Sequence, residues 1–312
     1  MDALINVVLP VFGIVLTGYL AGRFEALGPE SAAALNRFVY LFALPPALFL
    51  FTARAPIEKA FNWPFIGAFV GGSIATLLIS LLVGRIWFRH DPVTLSVQGL
   101  TAIFANVVYM GLPLLMTAYG AEGALPAIVA ALIINVMFIG GAITVLDATR
   151  ATGSSPLQVI WSFGKTLVRN PLISAPLLGI LFSTLALSLP KAVSNFLELM
   201  AAATGPGALF ALGLSLVGRK LTGDAVEIAW LVVLKLVVQP IITFVLVAYA
   251  FGMDPLWSRA SVLLAAMPIG AGAFVIAQQY NVQVQRVSAA IVISTAASVA
   301  TIFFLLIWLG AG

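Results

Sequence analysis

The sequence contains no cysteine and a single histidine, His90, and only 8% of its 312 residues are charged. Without cysteine there is no disulfide framework, no thiol nucleophile and no thiolate metal site. One histidine leaves no room for histidine-rich metal chemistry. Soluble domains carry roughly 25% charged and 45–50% apolar residues. Here 62% are hydrophobic and the mean hydropathy is +1.13, so no soluble fold covers this surface. The apolar stretches run to roughly 20 residues, the length of membrane-spanning helices, not the short alternating segments of barrel strands. A formal net charge of +4 in so apolar a chain suits lipid-facing loops and gives no case for nucleic-acid binding.

Hydrophobic runs between charges and turn residues mark ten spans, at 3–22, 32–52, 64–88, 93–118, 123–146, 171–189, 193–217, 226–251, 257–280 and 287–310. The first is too long, and lacks the basic start and small-residue cleavage site, to be a removable signal peptide. Arg23, Arg37, Arg85, Arg89, Arg150, Lys165, Arg169, Arg219, Lys220 and Arg286 fall on one side of the membrane. Only Arg54, Lys59, Lys191 and Arg259 fall on the other, and Lys235 lies inside a span. The richer side faces the cytoplasm, which sets both termini outside the cytoplasm in a multi-pass protein of the inner membrane. The longest connection separates five spans from five. Its stretch Pro156 to Arg169 reads either as a short helix along the cytoplasmic interface or as a linker with incidental apolar residues.

The two halves echo each other. Pro10-Val11-Phe12-Gly13 recurs as Pro176-Leu177-Leu178-Gly179. Asn36 precedes Pro46 much as Asn195 precedes Pro206, and spans 4 and 9 each have a Gly/Pro-disturbed centre before a tyrosine, Tyr119 and Tyr280. An odd number of spans per half turns the second copy upside down. The expected fold is therefore all-α and integral to the membrane, with ten transmembrane helices as two inverted five-helix repeats. The first repeat covers 1–148, a cytoplasmic linker 149–170 and the second repeat 171–312. Inverted repeats supply alternating access in secondary transporters, whose sites lie near the midplane where interrupted helices meet.

Span 4 holds Asn106, Gly111 and Pro113 within eight residues, and span 9 holds Pro268, Gly270 and Gly272 within five. Proline removes a donor and clashes with the preceding turn, while glycine tolerates unwound backbone. Broken backbone at membrane depth survives where protein or a water-filled cavity satisfies it. If both spans unwind and cross, their half-helix N-termini present free N–H groups that attract an anion, and Asn106 adds an amide donor. The alternative is a pair of proline kinks that adjust packing.

These residues resemble the auxin efflux carrier family, which includes plant PIN-formed auxin carriers and bacterial malonate-type carriers. The likeness covers nearly the whole chain. Its best segments are Asn106 to Leu115, Arg169-Asn170-Pro171, Phe210 to Leu214 and Phe274 to Asn281. It implies a fold similar to bile-acid sodium symporters, with helices 4 and 9 broken and crossing. It also implies a scaffold from spans 1, 2, 6 and 7, a mobile transport domain from spans 3–5 and 8–10, elevator-type movement of an organic anion, and a homodimer. The candidate substrate-binding residues are then Asn106, Val107, Tyr109, Gly111, Pro113, Asn135, Pro268, Gly270, Gly272 and Gln278. Three departures stand out. Ala105 occupies a position where plant members have proline, the long cytosolic loop of those members is missing, and span 3 has no ionisable residue between Pro64 and Gly84.

Ionisable groups at membrane depth are functional candidates by default. Lys235 either draws an anion, pairs with an acid, or snorkels to the interface. With Gln279 and Glu198 it forms the candidate set for coupling or anion attraction, although an interfacial place also suits Glu198. Asn135 either lines the site or ties two helices together, and Asn36 and Asn195 read as scaffold packing residues. An intramembrane enzyme would need a buried nucleophile with a base, paired acids or a metal cluster, and the sequence offers none of them. The leading reading is a secondary transporter of small mono- or dicarboxylates, auxin-like or malonate-like, without cofactor. The missing acids favour a uniporter. A sodium- or proton-coupled symporter and, from a different class, a channel or sensor are the alternatives.

Overall fold

The computed structural model describes residues 2–56, 61–150, 164, 170–219 and 223–310. Apart from Gly164, the expected interfacial helix over Pro156 to Arg169 lies outside the described residues, as do Lys59 and Lys220 of the charge count. Among the described residues the fold is all-helical, with no strand beyond one isolated β-bridge. Seven helices are long and apolar enough to cross a membrane: Asn6–Arg23, Pro29–Ala53, Trp63–Ile86, Val107–Ile143, Lys191–Ser215, Ala225–Tyr249 and Val284–Trp308. Pro92–Ile103 and Pro171–Thr184 are shorter apolar helices. Large side chains such as Leu78, Leu82, Leu178, Leu181 and Phe304 are exposed on the outside, as a protein solvated by lipid tails requires.

In chain order the α-helices are α1 (Asp2–Arg23), α2 (Pro29–Phe38), α3 (Leu44–Ala53), α4 (Trp63–Ile86) and α5 (Pro92–Ile103). Then come α6 (Leu112–Tyr119), α7 (Ala124–Ile133), α8 (Gly140–Arg150), α9 (Pro171–Thr184), α10 (Lys191–Ala202) and α11 (Thr204–Ser215). The last are α12 (Ala225–Val233), α13 (Gln239–Tyr249), α14 (Pro255–Ala265), α15 (Ala271–Tyr280) and α16 (Val284–Trp308).

Local chemistry sets these limits. Helices α5 and α14 both open on Asp-Pro. Asp91 accepts from the N–H groups of Val93 and Thr94 at 3.0 and 3.2 Å, and Asp254 from those of Leu256 and Trp257 at 3.1 and 3.2 Å. Proline in the first turn has no N–H to leave orphaned. Asn170 and Asp224 cap α9 and α12 in the same way. Prolines also act inside the long helices. The residue just before Pro45, Pro113 or Pro240 donates to a carbonyl five positions back, as Leu44 to Val39, Leu112 to Val107 and Gln239 to Leu234. Each proline thus widens the preceding turn to π geometry without ending the helix.

The difference between ten expected spans and seven long helices has three parts: span 6 is the 14-residue α9, spans 4 and 5 run together, and span 9 is split. The stretch Val107–Ile143 is interrupted by the tight turn Gly120–Gly123, where Gly120 takes φ +66°, and its arms α6 and α7 pack on each other. Span 9 is split into α14 and α15, of 11 and 10 residues, each too short to cross alone.

The helices pack in two groups. In the first, α1 lies along α11 and α3 along α9, with α2 and α10 at the flanks. In the second, α4 packs on α5, α13 and α14, while α16 packs on α12 and α15. A small charged cluster also belongs to this second group. His90 Nε2 stands 3.1 Å from Glu227 Oε2, and the same carboxylate pairs with Arg286. The α1–α11 contact depends on small residues, because a Cβ at Gly213 would collide with the Val15 carbonyl and one at Gly18 with the Phe210 carbonyl. Gly13, by contrast, faces open space. Gly213→Leu is expected to destabilise the purified protein by about 1–3 kcal/mol, read as a lowered melting temperature. Gly13→Ala should be neutral or slightly stabilising.

Candidate functional site

Helix α5 ends when the Phe104 N–H bonds Leu100, and the chain then runs extended through Ala105. Helix α14 ends at Ala265, and residues 266–270 turn toward the same point. Where the two segments meet, Ala105 and Ile269 form an antiparallel bridge. The Asn106 N–H donates to the Pro268 carbonyl at 2.8 Å, and the Gly270 N–H to the Phe104 carbonyl at 2.9 Å. The Ile269 N–H donates to Ser294 Oγ at 3.1 Å. Unwound backbone deep in the protein is thereby satisfied internally. The approach is close: a Cβ at Gly270 would lie 2.7 Å from the Phe104 ring, and one at Gly272 would overlap it.

Helical geometry resumes at Val107 on one strand and at Ala271 on the other. The first N–H groups of a helix have no carbonyl one turn back. Val107, whose own N–H is taken by the Ala105 carbonyl at 2.8 Å, lines one cavity of about 480 Å³ with Val108 and Tyr109 on its side and Ala271 and Gly272 on the other. That volume suits a small-molecule site. Asn106 also lines it, and its Nδ2 is buried with no hydrogen-bond partner. An orphaned amide donor costs free energy unless something accepts from it. Asn135 completes the cavity's wall from the π turn Ile134–Ile139, with its Nδ2 donating to the Ala131 carbonyl at 2.8 Å.

Five of the ten expected binding residues thus come together: Asn106, Val107, Tyr109, Asn135 and Gly272. The other five lie elsewhere. Pro268 and Gly270 form the bridge beneath the cavity, and Gly111 packs against Leu264 and Met267 of the second strand. Pro113 lines a separate cavity of about 320 Å³ with Met116 and Thr117. Gln278 is exposed farther along α15, and so is Gln279. Glu198 is half-exposed and pairs with Arg54, joining α10 to the end of α3.

Lys235 reaches neither the cavity nor an interface. It is 0% exposed, in the π turn between α12 and α13, and donates to Gln239 Oε1 at 2.7 Å and to the Ala265 carbonyl at the end of α14. Gln239 in turn donates through Nε2 to Ser73 Oγ at 3.0 Å. Both partners of the amine are acceptors, so its N–H donors are satisfied without a carboxylate.

The first helix group supplies the far wall of the cavity: Asn36, Tyr40, Asn170, Ser215 and Arg219. The Tyr40 hydroxyl donates to Asn170 Oδ1 at 3.0 Å, and that same oxygen caps α9. Arg219 stacks over Phe274, with 4.7 Å from guanidinium carbon to ring centroid. Burial lowers the pKa of its guanidinium from the ordinary value, yet an arginine keeps its charge at neutral pH. In the sequence Asn36 looked like a packing residue and Arg219 like one more loop cation. Tyr40 carried no signal at all.

The membrane transport protein family, which takes in the auxin efflux carriers, matches residues 3–306. The chain belongs to this family. It is 30% identical to the "Putative malonate transporter" of Rhizobium meliloti over 312 residues, covering 100% of this chain and 98% of that protein. It is 28% identical to the uncharacterized transporter YfdV of Escherichia coli, over 94% of this chain and 93% of the other. Auxin efflux carrier component 8 of Arabidopsis thaliana is 22% identical, with 92% of each chain covered. This auxin efflux carrier family member is therefore a multi-pass membrane transporter.

Lys235→Met removes the donor that serves both Gln239 Oε1 and the Ala265 carbonyl. It should destabilise the protein by roughly 1–3 kcal/mol, the cost of stranding buried acceptors. Adding Gln239→Leu should cost less than the sum of the two single changes, because one network is broken twice. Thermal melts of the four proteins in the cycle read this coupling.

Proposed function

We propose that the protein is a secondary transporter of small organic anions, mono- or dicarboxylates, bound where the two interrupted helices cross. One observation carries the reading: two helix starts and the unpartnered Asn106 amide open into a single cavity that no acidic side chain lines among the described residues. A carboxylate there regains the hydrogen bonds it loses with its hydration shell, a loss that unpaired would cost many kcal/mol. The similarity to proteins named for malonate and for auxin, both carboxylates, points the same way.

On this reading the ten spans form two inverted repeats in the inner membrane, with both termini outside the cytoplasm. The first helix group is the scaffold and the second the moving transport domain. A cavity lined from both groups is where a substrate would sit while one slides past the other, which is alternating access by an elevator motion. A homodimer would hold the scaffold still. Transport is uncoupled from sodium and protons. Lys235 supports this, since its amine already occupies the carbonyl end of α14, where a free cation would otherwise be drawn.

Asn106→Ala should weaken carboxylate binding roughly 10- to 100-fold, the worth of a hydrogen bond to a charged group, while the melting temperature without ligand holds. Unchanged affinity in a well-folded variant would remove Asn106 from the site. In proteoliposomes, uptake of a radiolabelled carboxylate should respond to its own gradient and to membrane potential. A sodium or pH gradient imposed alone should leave it unaltered, and sodium-driven accumulation would establish the symporter reading instead.

A further inference from the structure

Arg219 is the one cationic side chain among the described residues that line the cavity, and the acceptors around it leave its charge uncompensated. It follows the end of α11, so it belongs to the first helix group, yet it reaches across to the second. Its Nε donates to the Ser215 carbonyl at 2.7 Å and its Nη1 to Ser288 Oγ at 3.3 Å. Both acceptors are neutral. Among the described residues no carboxylate pairs with Arg219, and neither Asp nor Glu lines the cavity. A partly buried charge held only by neutral oxygens is poorly compensated. A guanidinium has five N–H donors in a planar fork that matches a carboxylate.

The stacking partner ties this second positive pole to the same cavity. Phe274 lies in the first turn of α15, three residues beyond Ala271, and both line the cavity with Asn106 and Arg219. A short diacid with one end at the first pole, the helix starts and the Asn106 amide, therefore has Arg219 within the same cavity for its other end. A monocarboxylate of the same length would leave the guanidinium facing an apolar or neutral tail.

We propose that Arg219 binds the second carboxylate of a short-chain dicarboxylate, and so sets the preference for diacids over monoacids. This rests on the reading of the cavity as an anion site. It also assigns Arg219 a role distinct from a latch between the two helix groups. A latch would alter stability and affect every ligand alike, whereas a binding residue discriminates by charge.

Malonate and its monomethyl ester make the decisive pair, because they differ by one charge at nearly constant shape. Their affinities are measured by titration calorimetry on the purified full-length protein. The wild type should bind malonate at least ~10-fold more tightly than the monoester, the low end of what a charge-assisted pair supplies. Arg219→Gln should weaken malonate roughly 10- to 100-fold and leave the monoester within about twofold, so that the preference collapses. Arg219→Lys, which keeps the charge without the fork, should fall between. Asn106→Ala should weaken both ligands together, which marks the first pole. Equal loss of both ligands in Arg219→Gln, or an unchanged ratio, overturns the assignment and leaves the anion site standing. A wild type that binds neither compound overturns the anion site itself, and this assignment with it.

Discussion

Two backbone hydrogen bonds hold the centre of this molecule. The Asn106 N–H meets the Pro268 carbonyl and the Gly270 N–H meets the Phe104 carbonyl, so two unwound segments satisfy each other where neither has a helix to do it. In hydrocarbon an unpaired peptide group costs several kcal/mol, and the crossing exists because each break is the other's partner. The rest of the site follows from it. The pairing fixes where helical geometry resumes, at Val107, whose own N–H bonds the Ala105 carbonyl, and at Ala271. It also brings the Phe104 ring onto Gly270 and Gly272, which is why side chains larger than hydrogen are excluded there.

Proline works in this fold in two opposite ways. At Pro92 and Pro255, behind a capping aspartate, it starts a helix whose first N–H it does not need. At Pro45, Pro113 and Pro240 it sits within a longer helical run, and the turn ahead of it widens so that the run continues. The π turn that contains Lys235 is one of these. Its extra residue belongs to the same local deformation that carries the lysine's neighbour Gln239 just ahead of Pro240. Helix distortion and buried polar chemistry thus share a single cause in the sequence.

The two Gly/Pro clusters were readable as weak points of spans 4 and 9, because broken helices need residues that tolerate lost hydrogen bonds and tight approach. Asn106 was readable for the same reason, as a polar side chain beside a break. The division among Gly111, Pro113 and Gly272 was not. All three lie close to a break, but which face of the turn each presents depends on a crossing angle that no local pattern encodes. Tyr40, Asn170 and Arg219 were hidden further, since each comes from a segment distant in the chain and becomes part of the cavity only through packing between the two groups. One further signal stands in the sequence: Asp91-Pro92 and Asp254-Pro255 open α5 and α14, the helices that lead into the two breaks, with the same two residues.

Lys235 also ties three helices into one piece. Its side chain is 0% exposed, its amine bonds Gln239 of α13 and the end of α14, and through Gln239 it reaches Ser73 of α4. Any rearrangement that parted those helices would strand a buried donor and its acceptors together, so α4, α13 and α14 keep their register as a single block.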